Sequence, residues 1–365
     1  MTATTQCKSG VYPPPISPKD SASQLKKPSR RAYSDFFKNN FLEIADDPTI
    51  LIFGDEARPA PLITFIIPTC FRASTLKDAV DCIINQRGDS DYEIVVCDDN
   101  PVRHDETETL MDAYRSIPNL RYYKNSRNLG MAGNWNRLCQ LAKGEWMVML
   151  HDDDMLSPAF LKIMSEVIRS SDRQRLIFPT FTMDYDTFAK TDEITEVTLE
   201  KVRKWHFVSR NYIGAPVGMC VKRETAIHLG GFDATYYPPI DQAFYIKCLL
   251  SGVEIIRILS EPIAYYRILV NVSLSDETIN GCTFQHVNIR NEFYRHFPAI
   301  TRLILKPYRK ICYKLYAEMN NSHVERRTRR WPLSKFETFL HLIYGNIFSR
   351  ILMRNKHPEK IHIPR

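Results

Sequence analysis

Apolar residues in this chain follow two rhythms. Short continuous runs, Ile63-Thr-Phe-Ile-Ile67, Tyr92-Glu-Ile-Val-Val-Cys97 and Trp146-Met-Val-Met-Leu150, have the length and composition of strands buried on both faces. Between them apolar residues recur every three or four positions, as at Leu76, Val80, Ile83 and Ile84 after Ser74, and this spacing predicts helices. Further helices are expected near 106–116 and 132–142, with a strand over 120–123. Strands joined by helices of this length imply a parallel, doubly wound α/β sheet, because parallel neighbours need a long crossover.

Beyond residue 170 the rhythm changes. Strands are expected at 176–179 and 205–208, flanking a polar, mobile excursion over 184–204. A turn from Gly214 leads into a strand ending at Val221, and a helix over 223–229 is closed by Gly230-Gly231. A helix through Leu250 follows Pro238 and Pro239, and strands are expected at 255–259 and 263–266. Residues 1–31 are polar and Pro-rich, a composition that cannot bury enough surface to fold alone. A short helix opened by Ser34, with Phe36, Phe37 and Phe41 on one face, precedes a second linker at Arg58-Pro-Ala-Pro61. The expected organisation is a disordered or linker segment with one short helix over 1–58, an α/β domain over 59–275 and a basic helical region over 276–365.

With 44% hydrophobic and 25% charged residues in 365, the chain has the composition of an ordinary globular protein with a sizeable core. Its nine cysteines are scattered without Cys-x-x-Cys spacing, which argues against a disulfide framework or a structural zinc site and agrees with a reducing compartment. No apolar run of about eighteen residues occurs and the first residues lack the apolar stretch of a signal peptide, so a cytoplasmic location is expected. The net charge of +7 is unevenly placed, since from Arg302 onward about fifteen Lys and Arg face about four Asp and Glu. In that tail, residues 300–319 place Leu303, Ile304, Tyr308, Ile311 and Leu315 at helical spacing. Residues 335–353 do the same with Phe336, Phe339, Leu340, Ile343, Ile347 and Ile351. Such helices either cover the core of the α/β domain or lie peripherally on an anionic membrane surface. Nothing in the tail resembles a nucleic-acid module, so no nucleic-acid partner is expected.

Candidate chemistry sits at the strand ends. Asp152, Asp153 and Asp154 follow the run 146–150 after His151, and Asp98 and Asp99 close the run 92–97. Open α/β sheets bind ligands at the carboxyl ends of their strands. Carboxylates there cannot cradle phosphate, and the first turn, Pro68-Thr-Cys-Phe-Arg72, contains no glycine, so a dinucleotide fingerprint is absent. The residue types suit a base, a ribose or a metal ion instead. Asp241 falls in the first turn of its helix, where a carboxylate also serves as a cap that suits the dipole.

Several motifs then occur in a recognisable order. They are Ile66-Ile-Pro-Thr69 with Arg72, Val96-Cys-Asp-Asp99, Asn128-Leu-Gly-Met-Ala-Gly-Asn-Trp-Asn136, Ala142-Lys-Gly-Glu145, the Asp triplet with Pro158, Gly230-Gly-Phe-Asp233, Asp241 and Tyr265-Tyr-Arg267. Together, over residues 62–275, they resemble a family 2 glycosyltransferase of the GT-A fold, of the bacterial type that builds polysaccharides or glycans. The resemblance implies a Rossmann-like, mixed and mostly parallel sheet with a helical C-terminal extension. It also implies an inverting enzyme that moves a sugar from a nucleotide-diphosphate donor, UDP- or dTDP-linked, to a saccharide acceptor, free or lipid-linked, at the inner face of a membrane. Residue by residue, it puts Asp98 or Asp99 on the pyrimidine ring, Asp152 on the ribose, Asp153 on Mg²⁺ or Mn²⁺, Asp154 near the sugar, and Asp241 in the general-base position. Pro68, Thr69, Arg72, Asn128, Gly130 and Asn136 fall to the donor, and Gly218 and Asp233 to the acceptor.

The chain departs from the family pattern at His151 and Ile240, where an Asp and a Glu are usual, at Trp135 in place of an Arg, and at Leu269 in place of a His. A divalent cation then has fewer protein ligands, and diphosphate oxygens and water supply the rest. These departures keep a second class open, a nucleotide-sugar or glycan-binding homologue without turnover.

Overall fold

The computed structural model describes residues 35–189, 194–208, 211–268, 276–324, 332–347 and 358–364. Its first half runs β1 (Thr49–Phe53), β2 (Ile63–Thr69), α1 (Ala73–Ile84), β3 (Tyr92–Asp98), α2 (Glu106–Asp112), β4 (Leu120–Asn125), α3 (Gly130–Leu141) and β5 (Trp146–Met149). There follow β6 (Met155–Leu156), α4 (Phe160–Arg169), β7 (Arg175–Phe178), β8 (Phe181–Thr182), α5 (Tyr185–Ala189) and β9 (Glu196–Val202). Next come β10 (Cys220–Lys222), α6 (Arg223–His228), α7 (Ile240–Leu250), β11 (Glu254–Leu259) and β12 (Ala264–Tyr265). The tail adds α8 (Asp276–Arg295), α9 (Ala299–Val324), α10 (Lys335–Ile347) and β13 (Glu359–His362).

Ten strands form one mixed sheet in the order β1-β4-β3-β2-β5-β10-β7-β11-β9-β13, and β6, β12 and β8 form a small second one. Strands β4, β3, β2 and β5 are parallel to one another, as are β7 and β11, and the remaining pairs of the large sheet are antiparallel. Every residue of β2 is buried because side chains of alternate phase enter two separate cores. Ile63, Phe65 and Ile67 pack with Leu76 and Val80 of α1 and Phe160 and Ile163 of α4. Ile66, Val95 and Cys97 belong to the core that holds Leu138 of α3, Phe244 of α7, and Ile289 and Phe293 of α8. From β2 the sheet grows to β3 on one side and to β5 on the other, so a crevice opens at the carboxyl ends of these three strands.

The α/β architecture with its helical extension agrees with the sequence expectation, and four segments differ from it. Residues 35–58 are more than linker, since Phe36 and Phe41 are buried and β1 pairs antiparallel with β4, while residues 1–34 lie outside the described residues. The expected short helix is two 3₁₀ turns, Asp35–Phe37 and Asn40–Ile44, the second capped by the Asn39 side chain; Ser34 lies outside the described residues. The polar stretch 184–204 contains α5 and β9, in which Val197, Leu199 and Val202 face inward between polar neighbours. The strand expected at 205–208 is a 3₁₀ turn, Lys204–Phe207, drawn tight by a 3.0 Å hydrogen bond from Arg203 N to His206 Nδ1. The region 276–365 also ends in a strand, β13, which pairs with β9.

Helix α6 closes on Gly230 and Gly231, whose φ angles of 75° and 67° belong to the left-handed region. A Cβ on Gly231 would stand 2.2 Å from Asn136 Oδ1, the atom that accepts from Phe232 N at 2.7 Å. Gly231→Ala therefore combines backbone strain with a clash against a buried hydrogen-bonded amide, and should cost about 2–4 kcal/mol in urea unfolding. At Gly252 (φ 85°) a Cβ meets nothing within 4 Å. Gly252→Ala should therefore cost only the conformational part, about 1–2 kcal/mol, and equal losses in the two variants would contradict the steric account.

Candidate active site

Strand β3 delivers Asp98 and Asp99 to the end of the sheet, and successive residues of a strand point to opposite faces. Asp98 is fully buried and accepts from Lys124 Nζ at 2.7 Å, Asn100 N at 2.9 Å and Tyr122 OH at 3.1 Å. Asp99 reaches the start of α3, where it accepts from the backbone N–H groups of Leu129 (2.8 Å) and Gly130 (2.9 Å), and from Asn125 Nδ2 (2.8 Å). The positive end of a helix dipole favours a carboxylate there. Burial raises the pKa of both carboxyls against the pull of these donors.

After β5 the chain turns through His151. Asp152 accepts from Thr69 Oγ1 at 2.8 Å and from Arg72 Nη1 at 3.3 Å, and Asp153 accepts from the same Arg72 nitrogen at 2.7 Å. Burial pushes the Asp152 carboxyl up to about 6 although Arg72 and Thr69 pull it down. Asp154 is fully buried, accepts from Arg267 N at 3.1 Å and stands 3.3 Å from His151 Nδ1; burial raises its pKa too. The His151 ring stacks on Trp135 at 5.2 Å between centroids. Burial opposes charging of this ring, but Asp154 and the two carboxylates before it outweigh burial and leave the pKa raised.

Asp241 lies in the first turn of α7, directly after the two prolines, and accepts from Tyr245 OH at 3.2 Å. Burial pushes its carboxyl up to about 6.

Asp99, His151, Asp152, Asp153 and Asp241 share one cavity of about 580 Å³. Of the residues expected at the site, Pro68, Thr69, Arg72, Asp99, Asn128, Gly130, Asp152, Asp153 and Asp241 line it. Five others stand off its wall for visible reasons. Asp98 is held by Lys124 beneath it, so of the two carboxylates expected at the pyrimidine only Asp99 faces the cavity. Asn136 clamps the Phe232 backbone, donating to its carbonyl at 2.8 Å. Asp154 faces His151 and the Arg267 backbone. Gly218 (φ 67°) has no room to spare, because a Cβ would come within 2.8 Å of Pro179 and 2.9 Å of Phe160. Asp233 caps the turn Ala234–Tyr236 through Thr235 N at 2.9 Å and pairs with Lys38 at 3.3 Å. Leu269 lies outside the described residues.

The cavity also exposes groups that the sequence did not single out as site residues. His151 and Trp135, read there as departures from a pattern, both line it. So does Cys70, and so do Thr278, Cys282 and His286, one from each turn of α8. Their spacing of four is visible in the sequence, but nothing there says which face of the helix meets the sheet.

A divalent cation fits the donor set. His151, Asp153 and Asp154 each offer a ligand atom, all within 4.8 Å of one another. Asp154 holds the Nδ1 side of His151, while Nε2 is buried and has no hydrogen-bond partner among the described residues. A histidine oriented by a carboxylate, with its second nitrogen unused and an Asp beside it, is a common metal-binding arrangement.

Residues 64–228 match Glycosyl transferase family 2. An uncharacterized protein of Mycobacterium tuberculosis is 25% identical over 209 residues, which is 52% of this chain and 62% of that protein. The GalNAc(5)-diNAcBac-PP-undecaprenol beta-1,3-glucosyltransferase of Campylobacter jejuni is 33% identical over 109 residues, 29% of this chain and 34% of that one. The chain thus spans less than two thirds of either relative. Among solved structures, the mannosyltransferase PcManGT of Pyrobaculum calidifontis, in complex with GDP-Man and Mn²⁺, aligns over 85% of this chain and 90% of its own with a TM-score of 0.49 and 14% identity. The matched segment contains the parallel strands β2, β3, β4 and β5 together with Asp99 and the Asp triplet, and over that segment the chain is similar to glycosyltransferase family 2.

Proposed function

We propose that the protein is an inverting glycosyltransferase that moves a sugar from a UDP- or dTDP-linked donor to a hydroxyl of a saccharide acceptor. One observation carries this reading. A single cavity is lined both by Asp99, Asp152 and Asp153, which suit a nucleotide diphosphate, and by Asp241, which suits acceptance of a proton. Asp99 Oδ2 receives only the Gly130 N–H and keeps a lone pair for a pyrimidine N–H. Asp152, fixed by Thr69 and Arg72, is placed to accept from ribose hydroxyls.

A cation, Mg²⁺ or Mn²⁺, held by Asp153 and His151, with Asp154 orienting the His151 ring, would offset the charge of the departing diphosphate. The remaining work falls to side chains of the chain itself. Arg72 neutralises Asp152 and Asp153 and so reduces their repulsion toward the donor. Asp241 takes the proton of the acceptor hydroxyl as the new bond forms at the anomeric carbon, on the side opposite the leaving diphosphate. A carboxyl with a pKa near 6 is ionised at neutral pH and more basic than an ordinary one, which suits a general base. Tyr245 OH donates to one of its oxygens. Thr278, Cys282 and His286 bound the cavity from α8, and burial beside Arg290 holds His286 down to about 4, so it meets a hydroxyl as a neutral ring. The Campylobacter jejuni relative is named for an undecaprenol-linked saccharide, which supports a lipid-linked acceptor.

Incubation with a panel of nucleotide sugars, following release of the nucleoside diphosphate, tests the reading directly. Nucleotide binding without release from any donor would favour the homologue that binds and does not turn over. Asp241→Asn keeps the shape and removes the proton acceptor, so transfer should fall at least about a hundredfold while nucleotide affinity is kept. Wild-type kcat/KM should decline as pH falls through about 6, where Asp241 gains its proton.

Stability should respond in the opposite sense. A carboxyl whose folded pKa lies above its unfolded value binds its proton more tightly in the folded state, so its ionisation costs stability as pH rises from about 4 to 6. Asp241→Asn should therefore be more stable than the wild type by about 1–3 kcal/mol at pH 8, with no gain near pH 4. A variant no more stable at pH 8 would contradict the buried charge.

For the cation, Asp153→Asn should erase most of the difference in UDP affinity measured by calorimetry with and without Mn²⁺. Equal wild-type affinity in both conditions would show that the site works without a metal.

A further inference from the structure

The tail helices carry both buried and exposed apolar side chains. On α9, Leu305, Tyr308, Ile311 and Cys312 are buried, and Tyr308 stacks on Tyr344 of α10 with ring centroids 4.9 Å apart. Ile300, Leu303 and Ile304 of the same helix face outward. On α10, Phe336, Phe339, Leu342 and Ile347 also face outward, and exposures across the two sets run from 40% to 68%. On α10 a spacing of three to five puts them on one broad arc, away from the His341 and Tyr344 side that packs on α9.

Tyr344 OH donates to the Ile304 carbonyl at 2.6 Å, and Lys314 pairs with Glu337. The two helices are therefore antiparallel, and the last turns of α10 adjoin Ile300, Leu303 and Ile304. The two exposed sets lie on adjacent helices, and clusters of exposed large apolar side chains of this kind mark interaction surfaces. Arg302, Lys306, Lys310 and Lys335 are exposed on the same helices, and none has an ion-pair partner among the described residues. Glu337, by contrast, is taken up by Lys314.

We infer that this face docks on an anionic lipid bilayer, with Leu303, Phe336 and Phe339 entering the boundary between headgroups and acyl chains and the basic side chains lying on lipid phosphates. Charge separates this occupant from a second copy of the chain, which would press the same four cations against themselves. An anionic bilayer offers an apolar layer and negative charge together. Among the described residues no helix is long and apolar enough to cross a membrane, so the contact is with the surface. Helix α9 packs on α8, where Asn291 accepts from Tyr313 at 2.9 Å, and α8 carries Thr278, Cys282 and His286 in the cavity wall. One helix thus links the docking face to the cavity. The inference rests on the transferase reading only for its purpose, a lipid-borne acceptor; vesicle binding needs no donor, so either can fail without the other.

The full chain should sediment with vesicles of phosphatidylglycerol and phosphatidylcholine in equal parts, less so as NaCl is raised, and hardly at all with phosphatidylcholine alone. Leu303→Ser together with Phe339→Ser should weaken that binding at least about tenfold, while UDP affinity, which reports an intact domain, stays unchanged. Arg302→Gln together with Lys306→Gln should flatten the salt dependence. Phe339→Trp should be quenched by brominated phosphatidylcholine if the side chain enters the bilayer. Wild-type protein left in the supernatant with anionic vesicles, or equal sedimentation of the Leu303→Ser, Phe339→Ser chain, would overturn the inference. So would a dimer in solution that Phe339→Ser dissolves while vesicles are ignored.

Discussion

Carboxylates gathered at the ends of β3 and β5, the strands on either side of β2, repel one another, and a buried carboxylate without a partner costs several kcal/mol. The residues around the crevice answer that constraint one carboxylate at a time. Lys124 on β4 takes Asp98, the first amides of α3 take Asp99, Arg72 before α1 spans Asp152 and Asp153, and His151 faces Asp154. Each counter-group comes from a different element of the parallel half of the sheet. The fold therefore fixes the site, and the site in turn requires those elements to sit where they do. Asp241 stands apart, with a tyrosine hydroxyl and backbone donors for partners, and burial pushes its carboxyl up to about 6.

Strands β2, β3 and β5 were legible as sequence because burial on both faces leaves only apolar choices along them. Strand β9 was not, because it keeps one face toward water and reads as an alternation diluted by Glu, Lys and Thr; β1 is a five-residue apolar run too short for periodicity to separate strand from helix. Strand β13 is four residues long and pairs with a partner more than a hundred residues away, which no local pattern announces. The same limit applied in the site. Two adjacent aspartates could be assigned to the end of β3, yet only the phase of the strand decides which of them meets the crevice. Asn136, Gly218 and Asp233 belong to motifs whose positions could be read, but their work is to hold backbone: an amide clamped on Phe232, a close approach to Pro179, a cap on Thr235. A motif records that a residue is needed and leaves open whether the ligand or the scaffold needs it.

The tail was expected as helices added to a finished domain, and strand β13 changes what kind of addition it is. Its register, from Glu359 opposite Leu199 to His362 opposite Glu196, makes it the outermost strand of the large sheet, and Arg175 of β7 pairs with Glu359 at 3.1 Å. Ile363 is buried just beyond it. Helices α8, α9 and α10 are therefore fastened to the sheet at both ends, as a handle is fastened to a cup. Removing the chain after Arg295 would take away the strand that covers β9 and leave a row of unpaired backbone groups, a template for joining another chain. A shortened protein that clumps would be reporting a bare sheet edge, whatever the helices do, and any load borne by the helices in the full chain is delivered to the sheet at two anchor points.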